Sequence, residues 1–117
     1  SSVKNAKVKI NEELLGWAIE NICKNSIDAV GEKGTIKINV NSEKNKLLID
    51  ITDNGKGIEK NQFINIFSPG ISTKKRGWGL GLSLTKRIIE EYHNGKIFVL
   101  KSLKGIETTL RIILPKM

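Results

Sequence analysis

Cysteine, proline and aromatic residues are scarce in this chain. Among 117 residues there is one Cys, there are two Pro, and Trp, Tyr and Phe number two, one and three. The single thiol, Cys23, excludes an internal disulfide and a cysteine-rich zinc site, and it suits a reducing cytoplasm. A small buried apolar role is the plain reading for it. The few aromatics form no base-stacking series. No apolar run approaches the ~20 residues of a membrane span. The polar, basic start from Ser1 to Asn11 is no signal peptide. The chain begins without methionine and is expected to be a piece of a longer, cytoplasmic or membrane-anchored protein.

Basic residues outnumber acids, 20 to 12, for a formal charge of +8. Such a charge serves nucleic acid, an anionic membrane or a phosphate ligand. The lysines are spread along the chain, with one dense cluster at 74–76, and no nucleic-acid motif accompanies them. Surface charge is the default for most. The length suits one domain with one core.

Hydrophobic periodicity gives the order β-α-β-β-loop-α-β-β. Val8–Ile10 reads as a short strand. Asn11 is an N-cap, with Glu12 and Glu13 where a helix dipole favours acids. Leu15, Ile19, Ile22, Ser26 and Ala29 recur at helical spacing, and Gly31 ends that helix. Ile36, Ile38 and Val40 alternate with polar residues, as do Leu47, Ile49 and Ile51 after the turn at 41–45. Residues 53–78 are rich in Gly, Asn, Ser and Lys, a long loop of the functional-lid kind. Leu80, Leu84 and Ile88 resume helical spacing, which ends near "HNG" (93–95). Strands at Lys96–Leu100 and Glu107–Leu114 close the chain. Strands adjacent in sequence suggest hairpins, hence an α+β fold with a mixed or antiparallel sheet and helices on one side.

Three stretches carry chemistry. Asn21, Asn25 and Asp28 share one face of the first helix with Leu14 and Ala18. Two amide oxygens one turn apart are either a solvated patch or ligands for a hard cation such as Mg²⁺. Asp53 has the parity of Leu47, Ile49 and Ile51 and should point inward, where a carboxylate needs a donor. "DNGKG" (53–57) is either a plain Asp-Asn-Gly turn or a loop whose glycines admit a flat ligand. "STKKRGWGLGL" (72–82) sets Lys74, Lys75 and Arg76 before Gly77, Gly79 and Gly81 at a helix start. Free N–H groups there suit phosphate. It is neither a Walker A loop nor a dinucleotide fingerprint, and alone it is weak.

In this order the stretches resemble a known family, the ATP-binding catalytic domain of sensor histidine kinases, within the superfamily shared with gyrase and MutL. "ENICKNSIDA" (20–29) resembles its N box, "DNGKGI" (53–58) its first glycine box, "FSPGISTKK" (67–75) its F-box region and "GWGLGL" (77–82) its second glycine box. The resemblance implies a two-layer α/β sandwich of the Bergerat type, with about five strands on about three helices and a lid over ATP at about 59–78. It implies Mg²⁺ on Asn25, with Asn21 near metal and phosphates; these two would be the catalytic positions. Asp53 would take the adenine amine, with Gly55, Gly57 and Ile58 at the pocket wall. Phe67 would anchor the lid. Thr73, Lys74, Lys75 and Arg76 would lie near the phosphates. Gly77, Gly79 and Gly81 would supply hinge and backbone, with Leu80 and Leu82 packed beneath. The partners implied are a separate dimerisation domain bearing the acceptor histidine, in a homodimeric parent, and a response regulator. Nucleic acid and membrane are not implied as contacts of this domain.

Two positions depart from the family pattern. Asp28 stands where many sensor kinases have a phosphate-contacting Lys, and Gly70 stands where an aromatic is common. Gyrase-type ATPases carry a general-base Glu where this chain has Asn21, which favours phosphoryl transfer over hydrolysis. Glu20 lies about 100° round the helix. A kin ATPase or an anti-sigma serine kinase shares the boxes, and a nucleic-acid binder is the reading from charge alone. His93 is expected to be structural, since the family keeps its acceptor elsewhere. Trp17 is expected in packing or an interface, and Trp78 in bracing the lid.

Overall fold

The computed structural model describes residues 11–30, 34–68 and 81–116. Helix α1 (Glu12–Val30) starts where the sequence places it. Asn11 Oδ1 accepts from the Leu14 N–H at 3.1 Å and the Asn11 carbonyl from the Leu15 N–H at 2.9 Å, a side-chain N-cap. Strands β1 (Ile36–Ser42) and β2 (Lys46–Asp53) follow as a hairpin. Two short 3₁₀ turns, Lys60–Gln62 and Asn65–Phe67, lie beyond it. Helix α2 (Gly81–Arg87) runs into a π-helical turn, Ile88–Tyr92. Strands β3 (Lys96–Leu103) and β4 (Glu107–Pro115) form the second hairpin.

The four described strands lie in the order β1-β2-β4-β3, and every neighbouring pair is antiparallel. The fifth expected strand, Val8–Ile10, lies outside the described residues. Leu15, Ala18 and Ile22 of α1 meet Ile88 and Ile89, and both pack on Ile49, Ile51, Ile97, Val99, Leu110, Ile112 and Leu114. Full burial of each such Leu, Ile or Val side chain contributes ~1.5–3 kcal/mol. On the opposite face, Arg111 clamps Asp50 through two bonds of 2.7 and 2.8 Å and ties β4 to β2. That bond holds the guanidinium above its ordinary pKa.

Two apolar positions of the periodic series stay outside the core. Ile38 faces Ile51 across the hairpin, but it is half exposed while Ile51 is buried. Among the described strands β1 lies at the sheet edge, where helices cover its inner face less well. On α2 the inward position belongs to Thr85, with no exposed surface, and Leu84 is exposed. Thr85, Ile88 and Ile89 form the buried stripe at i, i+3 and i+4, and Leu84 falls one residue off it.

"HNG" is a structural junction. Buried His93 presents Nε2 to the Asn11 N–H at 2.9 Å, so that nitrogen accepts and Nδ1 donates to the Ile88 carbonyl at 2.8 Å. The start of α1 is thereby fastened to the π turn after α2. Asn94 is left-handed at φ 54°, and the Gly95 N–H reaches the Ile89 carbonyl at 2.9 Å. A Cβ on Gly95 would lie 2.4 Å from the Ile113 carbonyl oxygen.

Gly95→Ala should therefore cost about 2–3 kcal/mol and lower the melting temperature by roughly 10 °C, as read by circular dichroism. Cys23, partly buried against the core, has its thiol pKa pushed up by burial first and by Glu20 second. Its alkylation by iodoacetamide at neutral pH should be slower than that of a free thiol and should gain rate only in alkaline buffer.

Candidate nucleotide site

Asp53 closes β2 with the inward parity of Ile49 and Ile51, and it is buried at 6% exposure. Its Oδ1 accepts from the Gly55 N–H at 2.9 Å. Of the two readings of "DNGKG", the turn is therefore present. The same carboxylate also borders a cavity of about 140 Å³. Turn and pocket wall coexist, because one oxygen folds the loop and the residue still lines the space.

Neighbouring elements hold the loop after Asp53. Asn54 Oδ1 accepts from the Thr35 N–H at 2.8 Å, ahead of β1. The Gly55 carbonyl accepts from the Gly105 N–H at 2.8 Å, at the tip of the β3–β4 hairpin. The Ile58 N–H donates to Ser102 Oγ at 2.8 Å. Gly57 has φ +81°, and a Cβ there would meet Ser102 Oγ at 3.1 Å and Lys104 Cα at 3.2 Å. Glycine is required at this position by conformation and by space alike.

Helix α1 supplies the facing wall. Ile22, Asn25 and Ser26 line the cavity, and Asn21 is buried one turn before Asn25. The Asn21 amide NH₂ donates to the Trp17 carbonyl at 3.0 Å, and that of Asn25 to the Asn21 carbonyl at 2.9 Å. Each NH₂ thus has a partner on its own helix. The remaining wall comes from Ile66, from Leu82 on α2, and from Thr108 and Leu110 on β4.

The structure therefore gathers Asn25, Asp53, Gly57, Ile58 and Leu82 around one cavity, with Gly55 buried in the loop and Gly81 opening α2. Phe67 does not line the cavity. It is buried in the core, with the Lys86 ammonium 5.7 Å from its ring centroid. Thr73, Lys74, Lys75, Arg76, Gly77, Gly79 and Leu80 lie outside the described residues, as do Gly70, Trp78 and the side chain of Asp28. Sequence reasoning missed Thr108, which sits directly across from Asp53 in the β2–β4 register. Its parity with Leu110, Ile112 and Leu114 was the available signal. Trp17, expected in packing or an interface, borders a shallow groove with Leu14, Leu84 and Tyr92.

A buried carboxylate opposite a hydroxyl, beside an asparagine-bearing helix, is a polar end on an otherwise apolar slot. Comparison with known proteins gives such a slot a family. Residues 10–117 match the model of the histidine kinase-, DNA gyrase B- and HSP90-like ATPases. The chain belongs to this family. Within the family it is 37% identical over 110 residues to the sensor histidine kinase ZraS of Salmonella typhimurium, covering 93% of this chain and 23% of that protein. The catalytic domain of histidine kinase ThkA superposes with a TM-score of 0.83 at 32% identity, over 93% of this chain and 70% of that one. A structure of ThkA in complex with the response regulator TrrA matches with a TM-score of 0.72 at 31% identity, over 86% and 28%. The fold is thus the α+β sandwich of histidine kinase catalytic domains. The chain spans about a quarter of the length of the curated relative.

Gly57→Ala should strain the loop at its positive φ by about 1–2 kcal/mol and press on Lys104. A lower melting temperature measured by scanning calorimetry is the expected outcome.

Proposed function

We propose that this chain is the ATP-binding catalytic domain of a two-component sensor histidine kinase. It would transfer the γ-phosphate of Mg²⁺–ATP to a histidine on a separate dimerisation domain of the same homodimeric parent. The observation that carries this reading is the joint placement of Asp53 and Asn25 on one cavity. Asp53 offers acceptors to a purine amine. A guanine carbonyl facing the same carboxylate would be repelled.

The residues present fit a nucleotide-borne metal rather than a resident one. Among the described residues no cluster of three or more His, Cys, Asp or Glu could hold an ion alone. Mg²⁺ takes oxygen ligands and commonly completes its shell with waters and substrate phosphates. The amide oxygen of Asn25 would hold it, with Asn21 beside it. The ion supplies charge neutralisation on the phosphates when bound. The protein's own task is positioning: Asp53 fixes the base, and the apolar wall of Ile22, Ile66, Leu82 and Leu110 excludes water from it. The lysines and arginine at 74–76 would add charge beside the phosphates, taking over the contact that Asp28 cannot make.

Asn21 stands where an ATPase of this superfamily needs a general base, and a carboxamide does not take a proton at neutral pH. Transfer to a protein histidine is therefore favoured over hydrolysis. His93 is unsuited as that acceptor, since it is buried and both ring nitrogens are engaged. ThkA's complex with TrrA supports a response regulator as the downstream partner. A cytoplasmic setting suits the reading, and among the described residues no helix is long and apolar enough to cross a membrane.

Titration calorimetry tests the site. Wild type should bind ATP with Mg²⁺, and Asp53→Asn should weaken binding by about a hundredfold, close to 3 kcal/mol. Asn25→Ala should bind ATP with little dependence on Mg²⁺. Heat of binding unchanged in Asp53→Asn would remove the basis of the proposal.

A further inference from the structure

Strict alternation along β3 hides a residue that bonds to the lining of the cavity. Ile97 and Val99 face the core opposite Ile112 and Leu110. Continued alternation would turn Lys101 inward and Ser102 outward. The register shifts between Val99 and Lys101, so Lys101 pairs with Thr109 on the outer face and Ser102 with Thr108 on the inner one. A one-residue irregularity at Leu100 thus exchanges a lysine for a hydroxyl beside the cavity.

Ser102 Oγ then makes two bonds. It accepts from the Ile58 N–H at 2.8 Å and lies 2.8 Å from Thr108 Oγ1. Thr108 is buried, lines the cavity and stands across from Asp53. The Ser102 hydroxyl has one hydrogen, and donating it to Thr108 Oγ1 leaves the Thr108 hydrogen for the cavity. In that arrangement Ser102 donates to Thr108 Oγ1, and the chain of donation runs from Ile58 N–H through Ser102 to Thr108. The site then offers an acceptor from Asp53 next to a donor from Thr108. Adenine, with an amine beside a ring nitrogen lone pair, matches that pair. Hypoxanthine, with a carbonyl beside an N–H, inverts it.

We propose that Ser102 is a positioning residue for base selection: it holds the loop after Asp53 at Ile58 and sets the direction in which Thr108 presents its proton. This rests on the ATP reading given above. The test is calorimetric titration of this domain with ATP and with inosine triphosphate. Wild type should prefer ATP. Ser102→Ala should lose about tenfold in ATP affinity and much less for inosine triphosphate, so that the preference narrows. Ser102→Thr, which keeps the hydroxyl, should retain both. Ser102→Cys, a weak hydrogen-bonding group, should narrow the preference as alanine does, and it serves if the alanine variant does not fold. Equal losses on the two nucleotides would reduce Ser102 to a structural role, and unchanged affinities would remove even that; either overturns the proposal. A wild-type domain that binds neither nucleotide overturns the ATP reading itself.

Discussion

A carboxylate buried at the end of a strand is the constraint around which the site is arranged. Removing a charge from water is expensive unless hydrogen bonds replace the lost hydration. Asp53 meets that demand in part with the Gly55 N–H, which bends the chain away from the sheet at once. The bend then needs support of its own. It finds it in Thr35, Gly105 and Ser102, from the approach to β1 and from the β3–β4 hairpin. Loop, hairpin and strand end therefore form one unit, held by backbone and hydroxyl bonds rather than by packing alone.

The opposite wall obeys a different economy. Helix α1 buries Leu15, Ala18 and Ile22 on the sheet and sets Asn21 and Asn25 along the border of that stripe. Amides can sit there because each donates into its own helix. The helix is held at its start by the Asn11 cap and by His93, whose ring spans from α1 to the π turn after α2. A single buried imidazole thus relates the asparagine helix to the helix that carries Leu82.

Much of this was legible in the sequence. Asn11, followed by two acids and an apolar stripe at helical spacing, specifies a capped amphipathic helix by local physics. Period-two alternation in β2 fixed the side on which Asp53 emerges, and that parity survived into the structure. His93 before Asn94 and Gly95 read correctly as a structural ending. Periodicity names candidates for burial but not the packing that covers them. Leu84 shares helical spacing with Leu80 and Ile88, yet packing gives the inward position to Thr85. Ile38 alternates correctly, but its strand, outermost among those described, leaves it half uncovered.

Sequence alone determined the element types, the inward face of β2 and the order of motifs that marks the family, because each depends on residues within a turn or two of one another. Tertiary structure alone decided that Ser102 and Thr108 meet, that the hairpin tip grips the loop, and that Asn25 and Asp53 share a cavity. Those outcomes depend on strand register and on helix position, which are set by contacts between distant segments. A one-residue slip in pairing changes which face a side chain takes, and no local pattern in Lys96–Leu103 announces it.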